Sequence, residues 1–166
     1  MATHSIRIIG IDPGLNATGY GIIHLAVGRV YVIEAGTIEP DKKAAFAQRI
    51  AKVHHHISVL LAAHKPDVAV LEKLYAHYEH PTTASILGHV RGVICLSVAQ
   101  HKVGLVEHSV KRVRKALVGN GNATKQQTQA FVKRLLNIEH AELALDASDA
   151  LALALGHAHM LKFKLF

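Results

Sequence analysis

One stretch near the start of the chain constrains the fold more than any other, because it joins a strand, an acid and a turn. Residues 6–11 are rich in isoleucine, which favours a β-strand, and the Pro13-Gly14 pair that follows favours a turn. Asp12 is therefore predicted at the carboxyl end of a strand, at the edge of a central sheet. An unpaired carboxylate in such a place is unfavourable. Asp12 either caps the turn or belongs to a functional site.

Hydrophobic patterning divides the rest of the chain into strands and helices. Short turns that contain glycine separate the first three strands, which favours an antiparallel meander. We predict strands over about residues 6–12, 19–26, 29–38, 67–72 and 103–107. We predict helices from an Asp41 N-cap to about Ala63, from Pro81 to about Gln100, from a Ser109 cap through Leu117, from a Thr124 cap to about Leu136, and from about Asp146 to Met160. This order is typical of one layered α/β domain, which we place at residues 1–160, with residues 161–166 as a short tail.

The charge balance favours a polyanionic partner. Lysine and arginine total 19 against 12 aspartate and glutamate residues, which gives a formal net charge of +7 before any of the 14 histidines is protonated. Basic chains of this kind most often meet nucleic acid. The single cysteine, Cys95, excludes an internal disulfide and fits a reducing, cytoplasmic location. No signal peptide is predicted, and no apolar stretch reaches the ~18 residues that a membrane span needs.

Three apolar segments of the chain carry acids. Glu72, like Asp12, ends a predicted buried strand, and functional groups of open α/β sheets gather at such strand ends. Asp146 and Asp149 are spaced i, i+3 on an otherwise apolar helix, so their Cβ atoms should be about 5–6 Å apart on one face. For that pair alone there is an alternative, in which Asp146 is the helix N-cap and Asp149 is an acid of the first turn.

A cluster of all four carboxylates would take up protons or divalent cations. Two bare charges about 4 Å apart repel by about 4 kcal/mol at an effective dielectric constant of about 20. Oxygen ligands select hard ions, so Mg²⁺ or Mn²⁺ is favoured over zinc. Two such ions about 3.5–4 Å apart form the clamp used for in-line phosphodiester hydrolysis. A basic protein with an acidic metal pocket has the charge pattern of a nuclease.

Five motifs, spread over nearly the whole chain, follow the pattern of one known family. They are Gly10-Ile11-Asp12-Pro13-Gly14, Thr18-Gly19-Tyr20-Gly21, Leu71-Glu72-Lys73-Leu74-Tyr75, Gly88-His89-Val90-Arg91-Gly92 and Asp146-Ala147-Ser148-Asp149-Ala150-Leu151-Ala152. In this order and at this spacing they resemble the RuvC family, the bacterial Holliday junction resolvases. The resemblance implies an RNase H-like fold, in which helices flank a five-stranded mixed sheet.

The resemblance also implies an activity and partners. Members of this family are homodimers that introduce paired, symmetric nicks into two opposed strands of a four-way DNA junction, in homologous recombination and DNA repair. The implied chemistry is hydrolysis by two Mg²⁺ ions per active site, with Mn²⁺ as a substitute. The implied further partner is a branch-migration complex of the RuvA and RuvB type.

Site residues follow from the resemblance position by position. The family's four metal-binding and catalytic acids correspond to Asp12, Glu72, Asp146 and Asp149. The aromatic residue that stacks near the junction centre corresponds to Tyr75, with packing inside its own loop as the alternative. Two basic residues associated with DNA contact and catalysis correspond to Arg114, which replaces a more usual lysine, and Lys125. Lys111 and Lys115 add positive charge beside Arg114.

Two questions stay open from the sequence. Gly88 and Gly92 lie on one face of the predicted helix 81–100, where they allow either a second copy of the chain or the chain's own sheet to approach closely. The function also has alternatives, namely an RNase H-like nuclease that acts on another nucleic-acid intermediate, or a catalytically silent junction-binding module. Cleavage of a four-way junction, compared with duplex DNA and an RNA–DNA hybrid, distinguishes them.

Overall fold

A five-stranded mixed sheet forms the middle layer, and the isoleucine-rich opening run is its central strand. The computed structural model describes residues 5–26, 28–73, 81–139 and 142–161. The strands are β1 (Ile6–Asp12), β2 (Thr18–Ala26), β3 (Arg29–Ile38), β4 (Val68–Glu72) and β5 (Gly104–His108). Their order across the sheet is β3-β2-β1-β4-β5. The first three strands pair antiparallel, as predicted, whereas β4 and β5 join β1 in parallel.

Helices cover both faces of this sheet. Within the described residues they are α1 (Phe46–His64), α2 (Pro81–Gln100), α3 (Val110–Val118), α4 (Lys125–Leu135) and α5 (Leu145–Met160). Side chains alternate between the two faces along a strand. Ile8 of β1 accordingly packs with Leu151 and Leu155 of α5, whereas Ile9 packs with Ile57 of α1. The sheet is therefore buried on both sides, between α3, α4 and α5 on one face and α1 and α2 on the other.

Two predicted helix caps are confirmed and a third is wrong. The hydroxyls of Ser109 and Thr124 accept hydrogen bonds from main-chain N–H groups at the starts of α3 and α4. Asp41 does not cap α1, which begins at Phe46 after an Ala45 N-cap. The Asp41 carboxylate instead accepts the main-chain N–H of Lys43 over 2.9 Å. A short acidic side chain that accepts a hydrogen bond from the backbone close to it stabilises a turn. Here the turn comes before α1, so the helix begins later than predicted.

Glycines in β1 and β2 allow α5 to lie directly on the sheet. A Cβ added at Gly10 would lie 1.9 Å from the carbonyl oxygen of Ala150, and one added at Gly19 would lie 2.0 Å from that of Asp146. No side chain fits in either place, so both positions require glycine. This close approach sets the position of the first turn of α5, which carries acidic residues.

Helix α2 is more apolar than the sequence analysis allowed. By length and composition alone it satisfies the criteria for a membrane-spanning helix, with a mean hydropathy of 1.3, as core helices of globular domains also do. The expectation that no segment of the chain is long and apolar enough for a membrane span is therefore wrong. In the structure, α2 packs against α1 and buries Val90, Ile94 and Val98 in the core.

Candidate active site

Asp12 and Glu72 end two neighbouring strands. Because β1 and β4 are parallel, both residues lie at the same edge of the sheet, where functional groups of α/β proteins gather. The turn after Asp12 is closed by Thr18, whose hydroxyl donates to the carbonyl of Gly14 over 2.6 Å. Both acids are half-buried. Tyr75, predicted in the loop that follows Glu72, lies outside the described residues.

Three carboxylates converge at this edge. Asp12, Asp146 and Asp149 each offer an oxygen, and these oxygens lie within 4.8 Å of one another. The N-cap of α5 is Ala144, so the alternative in which Asp146 caps the helix is wrong. Asp146 lies instead in the first turn, where the helix dipole favours negative charge. We call these three residues the carboxylate cluster.

The electrostatics of the carboxylate cluster favour a bound cation. Burial raises the pKa of Asp12 to about 7, helped by the negative charges of Glu72, Asp149 and Asp146 and opposed by Lys125. Ionisation of Asp12 therefore adds a negative charge that burial and the neighbouring acids disfavour, and a bound cation would compensate that charge. Carboxylate oxygens alone form the donor set, which fits Mg²⁺ or Mn²⁺ rather than a softer metal.

Glu72 faces the same space but is not a member of the carboxylate cluster. It lines a cleft of about 260 Å³, hereafter the acidic cleft, together with Asp12, Asp149, Arg114 and Lys125. Burial raises the pKa of Glu72, and so does the charge of Asp149, whereas nearby arginine and lysine side chains lower it. The charges of the other three predicted acids therefore all act on Asp12.

The predicted basic residues differ in their distance from the acids. Lys125, the first residue of α4, places its Nζ 2.5 Å from Oδ2 of Asp149, and this hydrogen bond raises the pKa of Lys125. Arg114 of α3 lines the acidic cleft, and Lys111 lines an adjoining hollow that shares Arg114. Lys115 is exposed and lines neither space.

Two residues that shape the site were not predicted. Arg91 of α2 donates through one guanidinium nitrogen to the main-chain carbonyl of Glu72 and through another to the carboxylate of Glu107. A signal for it was present, because a lone arginine in an apolar helix needs buried partners. Gly19, which admits the backbone of Asp146, gave no such signal, because its sequence context does not distinguish it from other strand glycines.

Sequence comparison identifies one family over most of the chain. The family described as crossover junction endodeoxyribonuclease RuvC matches residues 8–157. The crossover junction endodeoxyribonuclease RuvC of Rhodopirellula baltica is 41% identical over 151 residues, which are 90% of this chain and 85% of the relative. The protein of the same description from Alkaliphilus metalliredigens is 38% identical, over 92% of each chain.

Structural comparison finds the same fold. RuvC of Thermus thermophilus superposes with a TM-score of 0.85 at 22% identity, over 95% of this chain and 96% of that one. T. thermophilus RuvC in complex with a Holliday junction substrate gives a TM-score of 0.84 at 22% identity, over 95% of both chains. The likeness confirms the predicted fold, in which helices flank a five-stranded mixed sheet.

Proposed function

Because the chain belongs to the RuvC family of crossover junction endodeoxyribonucleases, we propose that it resolves Holliday junctions. It cuts two opposed strands of a four-way DNA junction at symmetric positions, in homologous recombination and DNA repair. The observation that carries this proposal is the convergence of Asp12, Asp146 and Asp149 beside the acidic cleft, which Arg114 and Lys125 also line. Basic residues attract the phosphates, and cations held by the acids reverse the charge of the pocket.

The acids are the catalytic residues of this proposal. Asp12, Asp146 and Asp149 hold divalent cations, and Glu72 completes the donor set from the end of β4. We favour two Mg²⁺ ions, for which Mn²⁺ can substitute. Such ions, held by these acids, would supply an activated water as the nucleophile and stabilisation of the departing 3′ oxygen in phosphodiester hydrolysis. The raised pKa of Asp12 supports this assignment, because a cation would stabilise a carboxylate that burial and the neighbouring acids disfavour.

The basic side chains hold the DNA. Lys125 and Arg114 contact phosphates next to the cleavage position, and their placement in the acidic cleft supports this role. Lys111 and Lys115 extend the positive surface along α3. Tyr75 stacks on a base near the junction centre, a contact worth roughly 1–3 kcal/mol, and the resemblance to the family supports this role.

The exposed face of α2 is the proposed homodimer interface. Apart from the neighbouring turns of α2 itself, no described residue comes within 4 Å of a Cβ added at Gly88 or Gly92, so these glycines do not pack on the described part of the sheet. Leu96, one helical turn further along this face, is 50% exposed. This open surface supports the approach of a second copy. A twofold dimer also matches two symmetry-related scissile strands.

A branch-migration complex of the RuvA and RuvB type is the proposed partner, and the cytoplasm is the proposed location. Family membership supports the partner. The free thiol of Cys95 supports a reducing compartment.

Cleavage of a synthetic four-way junction tests the function. The protein is incubated with the junction, with a linear duplex of the same sequence and with an RNA–DNA hybrid, in Mg²⁺ or in EDTA. We expect paired nicks in the junction alone, and only with Mg²⁺. Cleavage of the hybrid instead would favour a nuclease for another intermediate. Junction binding without cleavage of any substrate would favour a catalytically silent module. The Asp12→Asn variant, purified in the same way, controls for a contaminating nuclease.

A further inference from the structure

Arg91 is a charged residue buried inside an otherwise apolar helix. It is 8% exposed, and α2 contains no other lysine, arginine, aspartate or glutamate. A buried charge destabilises a fold unless it is paired and hydrogen-bonded. The contacts of Arg91 should therefore explain why it occupies this position.

The Arg91 guanidinium joins the ends of two neighbouring strands. One terminal nitrogen donates to the main-chain carbonyl of Glu72, the last residue of β4. The other donates to Oε1 of Glu107 in β5. The two strands are parallel, and Leu71 is the register partner of Glu107. One rigid, planar fork therefore spans both strands where they end.

Both polar groups of the peptide that follows Glu72 are held. Its carbonyl accepts from Arg91, and its N–H, which belongs to Lys73, donates to the carbonyl of His108 over 2.8 Å. The main chain at the end of β4 is thus fixed by one contact from α2 and one from β5. A hydrogen bond from a charged donor is stronger than one between neutral groups, so Arg91 supplies the stronger of the two.

Arg91 reaches Glu72 from the side opposite the acidic cleft. Val70 packs in the hydrophobic cluster with α5, and Leu71 packs in the cluster with α1 and α2. By the same alternation, the Glu72 side chain points to the α5 face, where it lines the cleft with Asp149. Arg91 holds the backbone of this acid without lining the cleft itself.

We propose that Arg91 is a positioning residue that fixes Glu72 for cation binding, an inference that rests on the proposed function because it takes Glu72 as a ligand. A carboxylate adds to cation affinity only when its oxygens are held in the right place. Loss of a residue that orients a metal ligand commonly lowers metal affinity or activity by about 10–100-fold. Glu107 supports the arrangement by holding the second nitrogen of Arg91.

The test compares Arg91→Met and Arg91→Lys with a matched control, Arg7→Met. Arg7 also donates from its guanidinium to a main-chain carbonyl, that of His64, but it lies near the start of β1, away from the acidic cleft. For each protein, Mn²⁺ affinity is measured by calorimetry without DNA, and kcat and KM are measured for a four-way junction as a function of Mg²⁺ concentration. The melting temperature of each protein is measured as well.

We expect Arg91→Met to lower Mn²⁺ affinity by about 10–100-fold and to lower kcat, with little change in KM for the junction. Higher Mg²⁺ should restore part of the rate. Arg91→Lys keeps the charge but loses the fork, so it should recover part of the Mn²⁺ affinity. Arg7→Met should lower the melting temperature and leave Mn²⁺ affinity unchanged.

A folded Arg91→Met protein with the parental Mn²⁺ affinity would overturn the proposal. If that variant does not fold, the double variant Arg91→Met/Glu107→Leu removes the ion pair as a unit, a change that folds commonly tolerate. It should show the same loss of Mn²⁺ affinity, and parental affinity there would also overturn the proposal. A parental protein that binds Mn²⁺ but leaves junctions intact would reject the proposed function, while the affinity comparison would still decide the role of Arg91.

Discussion

Asp12 is the residue whose ionisation the fold changes most clearly, and its replacement by asparagine keeps the side-chain shape while removing one charge. We expect Asp12→Asn, Glu72→Gln, Asp146→Asn and Asp149→Asn each to cleave junctions at least about 100-fold more slowly, because each removes a donor from the proposed cation site. Junction affinity should persist, since the basic surface carries it. Cleavage rate and junction affinity are measured for all four variants. Asp41→Asn, an exposed acid in a turn, is the matched control and should cleave at the parental rate. If one of the four acid variants also cleaves at the parental rate, the replaced residue is not a cation ligand.

Without a divalent cation, stability should depend on pH through Asp12. Its pKa is 3.8 ordinarily and about 7 in the folded protein. Between these values the folded state binds the additional proton, so the free energy of unfolding falls as pH rises and reaches its lower level above about pH 7. The pKa values of buried His108 and His157 are lowered by burial, so these residues lower stability at acid pH instead.

Comparison with Asp12→Asn isolates the contribution of Asp12. Melting temperatures in EDTA are measured for both proteins between about pH 5 and pH 8. The variant should be the more stable protein near pH 8, by about 1–3 kcal/mol, and the advantage should shrink as the pH falls. Adding Mg²⁺ should remove the advantage at pH 8. A pH-independent difference between the two proteins would show that ionisation of Asp12 is not the cause of the difference in stability.

Among the secondary-structure elements, the contact between β2 and α5 leaves no room for a side chain at Gly19. Gly19→Ala would place a Cβ 2.0 Å from the carbonyl oxygen of Asp146, so the first turn of α5 must move. We expect a loss of about 1–3 kcal/mol in the free energy of unfolding and weaker Mn²⁺ binding. Denaturant unfolding and calorimetry measure the two effects. Gly104→Ala is the matched control, because an added Cβ there meets its nearest atom at 3.4 Å.

A large side chain on the exposed face of α2 should leave the folding of the monomer unchanged but prevent dimer formation. Gly92→Leu points into open space, so the monomer should fold with little change in stability. The added side chain should block the approach of a second copy, and sedimentation should then show monomers. Ala62→Leu, on the exposed face of α1, adds the same bulk outside the proposed interface and should leave the dimer intact. A dimeric Gly92→Leu protein would place the interface elsewhere.

The features that the sequence predicted correctly are those that depend on residues close together in the chain. Ser109 and Thr124 bond the first turns of their own helices, so their pattern was sufficient. Asp41 has the same capping chemistry, but its carboxylate accepts a hydrogen bond within a turn that precedes α1. Nothing in the local sequence distinguishes a turn at Asp41 from a helix N-cap. The four acids were predictable from strand ends and helical spacing. The lone arginine of α2 indicated buried partners but not which ones, because the main partner of Arg91 is a main-chain carbonyl distant in sequence, which no side-chain pattern encodes.

For the whole molecule, the salt dependence of junction binding should report which basic residues touch DNA. Arg114→Gln and Lys125→Gln should each reduce the slope of log affinity against log salt by about one unit, if each neutralises one phosphate. Fluorescence anisotropy with a labelled junction over a range of salt concentrations measures the slope. Arg29→Gln, at the start of β3 and so at the end of the sheet opposite the acidic cleft, is the control. An unchanged slope for Arg114→Gln or Lys125→Gln would remove that residue from the DNA contacts.

The carboxylate cluster joins the first strand of the chain to the helix that follows every other described element. Domains begin to fold during synthesis, from the amino terminus. A chain still on the ribosome therefore carries Asp12 and Glu72 long before Asp146 and Asp149 have been made. The proposed active site is consequently incomplete until α5 has been made and packs onto β1 and β2.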